Sequence, residues 1–297
     1  MYKRQTLPTV AGAGNGLTLT NGTFKLSSAS TIIPFPNGDL VPAGPFLIPA
    51  TAGFWCNGGI VNTMSGLSSN SVDGSGNWTV AGVLRISAGT LNLGTAADQR
   101  LRADNSGTTQ LIIEGGVFNV SGRLSRQLAS DNISFTMTAG IINVPTVAST
   151  DNTFPPINMD QPGSSFTMTG GTIILLRAGG IDLGFLANAG TVGISGGTIQ
   201  VGDASTPAGQ TIGINSVFNI SKLAVSSANA TCLLQSNLSA LQSVTINSGR
   251  LNLNNFNLSV GGIWTNNGTF TPGTGVVTFN GTGTQNIIKT GGCLLYT

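Results

Sequence analysis

Histidine, the commonest general base and metal ligand, does not occur in this 297-residue chain. Acid–base chemistry would therefore fall to ten carboxylates: Asp39, Asp73, Asp98, Asp104, Glu114, Asp131, Asp151, Asp160, Asp182 and Asp203. No two are adjacent. A glycosidase needs two carboxyls about 5–9.5 Å apart, and Asp73 with Asp98 or Asp131 with Asp160 could meet only if the chain coils back on itself. Neither pair sits in a recognisable catalytic phrase. The only tyrosines, Tyr2 and Tyr296, lie at the extreme ends, and past residue 5 the only lysines are Lys25, Lys222 and Lys289. The expectation is a chain that is not an enzyme, with no catalytic residue, no metal ligands and no cofactor.

Binding chemistry has a few weaker candidates. Asp98-Gln-Arg-Leu-Arg-Ala-Asp104 is the densest charge cluster. If it is extended, Asp98, Arg100, Arg102 and Asp104 project from one face. They would form a solvated face with ion pairs worth about 0–1 kcal/mol each, or the paired arginines would grip the carboxylate of an acidic sugar. Trp55 and Phe154 are candidates for stacking on sugars, or for covering the core. Asp73-Gly-Ser-Gly-Asn77 begins like a calcium loop, but Trp78 stands where the loop needs glycine and no glutamate occupies the twelfth position. It reads as a turn, as do the glycine-rich stretches at Gly12 and Gly281. Cys56 and Cys232 lie far apart with no CxxC or histidine companion, and read as buried, inert thiols. Charged residues make up 7 % of the chain and the net charge is +2, so the basic patch that nucleic acid requires is not expected. No run approaches the ~20 apolar residues of a membrane span.

What must position these residues is a ten-residue phrase, apolar-x-apolar-polar-x-Gly-x-apolar-x-apolar, which recurs seven times. Its copies begin at Leu17, Leu84, Leu111, Phe135, Phe166, Val192 and Val244, with glycines at 22, 89, 116, 140, 171, 197 and 249. The glycine intervals of 67, 27, 24, 31, 26 and 52 residues imply an underlying period near 26, which marks stacked repeats. Alternating apolar positions indicate strands with one buried face, and glycine supplies the positive φ of a bend.

A hairpin would explain ten residues of each period. A turn of a parallel β-helix explains all of them, and stacking leaves sheet edges only at the ends. The fold class predicted is therefore all-β: a parallel β-helix (β-solenoid) of about ten turns. The low charge suits it, because like charges stacked on successive turns repel, whereas Asn, Ser and Thr ladders can hydrogen-bond. The third phrase positions, Ile86, Ile113, Met137, Met168, Ile194 and Ile246, are expected to form one stack. Trp78 and Trp264, in similar Gly-x-Trp-Thr phrases, are expected at equivalent positions. Residues 33–50, with five prolines, read as a surface excursion; residues 145–163 read as an insertion whose loss leaves the fold intact.

The stretch from Val244, VTINSGRLNLNNFNLSVGGIWTNNGTFTPGTGVVTFNGTGTQNI, together with SGGTIQVGD at Ser195, resembles repeats of large bacterial cell-surface proteins. It is similar in style to the adhesin-like β-helical proteins that gliding bacteria export by the type IX route, and to autotransporter and filamentous-haemagglutinin passengers. The resemblance covers about residues 84–288. It implies a secreted or cell-surface stalk or adhesin that presents loops to polysaccharide or another cell-surface ligand, and it brings no catalytic residue. The alternative is a β-helical polysaccharide lyase, glycoside hydrolase or tailspike-like protein. Met1–Gln5 and Cys293–Thr297 resemble read-through of sequencing adapters. On that reading residues 6–292 are a β-helix fragment of a longer protein, and removing Lys3 and Arg4 leaves ten basic residues against ten acidic ones.

Overall fold

A computed structural model describes residues 18–29, 32–36, 46–64, 77–104, 106, 109–126, 131–151 and 153–289. The terminal tails, Asp39 and Asp73 lie outside them. Every strand pairing among the described residues is parallel, which excludes the hairpin reading, and the chain forms a parallel β-helix. Each phrase is two strands joined at a bend, and a further strand completes the turn.

The first face begins with Gly22–Leu26 and continues through residues 52–56, 83–86, 110–113, 133–137, Ser165–Met168 and Thr191–Ile194. A second face runs from Ile32–Pro36 to Ile287–Lys289, eleven strands in unbroken register. At the strand spacing of a sheet that column is about 48 Å long. The third face starts with Phe46–Ile48 and Trp78–Val80, and passes through Arg100–Ala103, Arg123–Arg126, Ile157–Met159, Leu183–Ala187 and Gln210–Ser216. Inward side chains from the three faces fill one continuous apolar core.

The bends follow from the glycines. Gly116 has φ +67°, and a Cβ there would lie 2.5 Å from the carbonyl oxygen of Gly89, the bend of the preceding turn. The phrase needs glycine both for the left-handed backbone and for the close approach of successive bends. The expected polar ladders are present. Asn92, Asn119 and Asn143 each donate through the side-chain amide to the asparagine one turn earlier, Asn62, Asn92 and Asn119, at 2.6–2.7 Å.

Two copies escaped the sequence pattern. Residues 54–63 form a phrase with its bend at Gly59 (φ +66°), but Thr63 ends it where an apolar residue was required. Residues 223–234 pair in register with the Val244 copy, but their bend is two residues longer and lacks glycine. These copies account for the 67- and 52-residue intervals.

Several expectations need correction. Ile86, Ile113, Met137, Met168 and Ile194 do stack on the first face, but Ile246 stacks on Val225 and Val201 of the second. The reason is a step. After Thr191–Ile194 the first face gains no further strand among the described residues, and residues 222–225, the start of a phrase, pair with Thr198–Val201, the end of one. From there each phrase occupies the second and third faces. The turns shorten from 24–31 residues to 20–23, and a narrow new face forms from residues 238–240, Leu258–Val260 and Val277–Phe279. For the same reason Trp78 and Trp264 are both core residues but sit on different faces.

The proline-rich segment is not wholly an excursion. Its two ends are strands of the coil, with residues 37–45 outside the description. Pro34 and Pro36 are tolerated because, among the described residues, their strand is the outermost of the second face and pairs on one side only. The insertion at 145–163 likewise ends in a coil strand, Ile157–Met159, which is buried and paired between Leu124 and Phe185.

Candidate functional site

The residues singled out for binding are placed on two faces. Trp55 points outward from the first face, between Lys25 and Arg85 in register above and below. The Lys25 ammonium lies 3.7 Å from the ring centroid and the Arg85 guanidinium 4.2 Å, so cation–π contacts take up the ring. The indole Nε1 donates to Ser87 Oγ at 2.6 Å, and Arg85 makes a bidentate pair with Glu114 at 2.7 and 3.0 Å. Sugar stacking on Trp55 would have to displace one of these cations.

The Asp98–Asp104 cluster is not a solvated face. Arg100 and Arg102 do project from the same side of their strand, but both are buried, as is Asp98. The covering is in part the insertion. The Thr150 amide and hydroxyl donate to the two Asp98 carboxylate oxygens at 2.7 and 2.6 Å, and the Asp98 amide donates to the Ala148 carbonyl at 3.0 Å. Asp151 forms an ion pair with Arg123, which stacks in register on Arg100. Arg102 donates to Thr79 Oγ1 at 3.1 Å. The arginines thus have a carboxylate beside them, and it belongs to the chain itself. Asp104 is not on the strand; its carboxylate accepts from the Ser106 amide in a turn. Phe154 is half-buried on the insertion, and its amide caps Asp151 at 2.9 Å.

Electrostatics in this clasp follow its burial. Arg100 is pushed down to about 10, first by desolvation and then by its neighbours Arg123 and Arg102, against which Asp151 and Asp98 act. At Asp151 burial pushes the carboxyl up, but hydrogen bonds from Arg123 and the Phe154 and Thr153 amides outweigh it and hold the group below its usual value. A carboxylate depressed in the fold stabilises above its unfolded pKa, and that contribution is lost as pH falls through the folded value. Asp151→Asn should cost about 3 kcal/mol at neutral pH, because it leaves the fully buried Arg123 without this carboxylate. Urea titrations should show the difference shrinking below about pH 4; a constant difference down to strong acid would sink this account.

Two further carboxylates are held by structural partners. Glu114 pairs with Arg85, and Asp203 accepts from the Ser205 amide and hydroxyl in a turn. Successive turns around Asp131 and Asp160 are offset by 31 residues, so these two do not fall opposite each other. No group of three or more His, Cys, Asp or Glu among the described residues could hold a metal ion. Cys56 and Cys232 are buried free thiols; burial pushes both up, Cys232 to about 12, into the inert range.

One surface feature was not legible in the sequence. Beyond the step, the bends between the second and third faces form an open groove of about 550 Å³ across four turns. Thr211, Thr231, Arg250 and Thr269 stand in register along one wall, and Asn229 and Asn267 come from the bends. Taken singly these are ordinary turn and strand residues; only stacking brings them together. Against known proteins, no family model matches the chain, and neither the curated proteins nor the solved structures contain a significant match to it.

Proposed function

We propose that this chain is a non-catalytic segment of a secreted, cell-surface β-helix, a stalk or adhesin that presents its flanks to carbohydrate or another cell surface. The observation that carries this reading is the unbroken eleven-strand column. It makes a rod whose length and stiffness are the same property, since each turn rests on the one before. The acid side chains add support. Asp98, Asp104, Glu114, Asp151 and Asp203 are held in turns or ion pairs that build the rod, which leaves them poorly disposed to move protons on a substrate.

The test is to immobilise the purified chain, pass mixed polysaccharides over it, and analyse both the retained and the released material by mass spectrometry. Retention of intact chains is the expected result. New reducing ends or unsaturated products accumulating with protein concentration would replace the stalk by a polysaccharide-cleaving enzyme. Retention of nothing would remove the adhesin half of the reading.

A further inference from the structure

We propose that the groove beyond the step binds a short, carboxylate-bearing sugar chain, with Arg250 as the anion contact. For its setting this rests on the surface-binding reading above. The groove crosses four stacked turns, about 14 Å at the sheet spacing, so its occupant is elongated along the rod. Its walls carry hydroxyls and amides, which both donate and accept. They match a ligand that is itself rich in hydroxyls.

Arg250 adds a charge. It is exposed, stands in the ladder between Thr231 and Thr269, and has no hydrogen-bond or ion-pair partner among the described residues. Guanidinium recognises a carboxylate through two parallel hydrogen bonds. Among the described residues it is the only charged side chain lining the groove, so one anionic group among neutral sugars fits better than a polyanion. Nucleic acid would require several cations along its phosphates. An extended peptide would need a sheet edge or apolar pockets, and the strands bearing Thr231 and Arg250 are already paired on both sides.

The experiment is an amide NMR titration of the intact chain with trigalacturonate, set against galacturonate monomer and neutral maltotriose. Trigalacturonate should shift the amides of Thr231, Gly249, Arg250 and Gly268. Binding should weaken about tenfold with maltotriose or in Arg250→Ala, with Arg250→Lys intermediate. Arg250 is exposed, so the rest of the variant's spectrum should be unchanged. Shifts confined to other surfaces, no shifts at all, or equal affinity in Arg250→Ala would overturn the proposal. Monomer binding as tightly as trimer would reduce the site to an anion contact and overturn the sugar chain. If Arg250→Ala retains acidic polysaccharide on the immobilised chain as well as the unaltered chain does, the groove fails while the adhesin reading stands.

Discussion

Ile113→Asp should unfold the rod, whereas Ile194→Asp should leave it standing. Both are third residues of their phrases, and both belong to the same first-face stack. Ile113 is fully buried in the apolar core, between Ile86 and Met137. A lone charge there carries its full desolvation cost, on the order of 5 kcal/mol or more, comparable to the whole stability of many domains. Ile194 is only half-buried, because among the described residues its strand is the last of the first face and none pairs beyond it. An aspartate there can reach water, and a cost near 1 kcal/mol is expected. Urea unfolding followed by far-ultraviolet circular dichroism separates the two. Similar midpoints for both variants would mean that the first face does not end at Ile194.

Deleting residues 145–163 should abolish the β-sheet spectrum. The deletion removes Ile157–Met159 and with it the pairing partner of both Leu124 and Phe185, opening the third face through the core. The insertion proper is 145–156, and it is a strap rather than an ornament. Replacing residues 148–154 with a Gly/Ser segment of the same length keeps the coil strand but withdraws Thr150 from Asp98 and Asp151 from Arg123. That variant should keep its β signal and lose about 3–5 kcal/mol, mainly through the buried arginine. A full deletion that still gives a native spectrum and an unchanged midpoint would show that the third face does not depend on residues 157–159.

Much of the coil could be read from the residues, because its signal is local. An apolar alternation says which side of a strand is buried, and one glycine at a fixed place says where it bends. The copies at residues 54–63 and 223–234 were missed where that signal weakens: a threonine closes one, and a longer bend replaces the glycine in the other. The step was out of reach for a different reason. A phrase specifies two strands and the corner between them, and nothing within ten residues states which face of the coil they join. Ile246 therefore looked equivalent to Ile194. The candidate binding residues failed along the same line. Arg100 and Arg102 were correctly placed on one side of a strand, but part of what buries their cluster comes from the insertion, whose Thr150 meets Asp98 some fifty residues further along the chain. The groove at Arg250 is assembled from four turns and has no counterpart in any one of them.

The step has a genetic consequence. Since the same ten-residue phrase turns two different corners, the heritable unit of this coil is a strand pair, and its orientation is set by how many strands precede it. Gain or loss of one strand's worth of codons would rotate every downstream phrase to the neighbouring face while leaving each phrase locally correct. The message stays legible after a frame change at the level of strands. A lineage of such rods can in this way exchange the surface it shows to the outside by gaining or losing a strand, with the sequence of every downstream phrase unchanged.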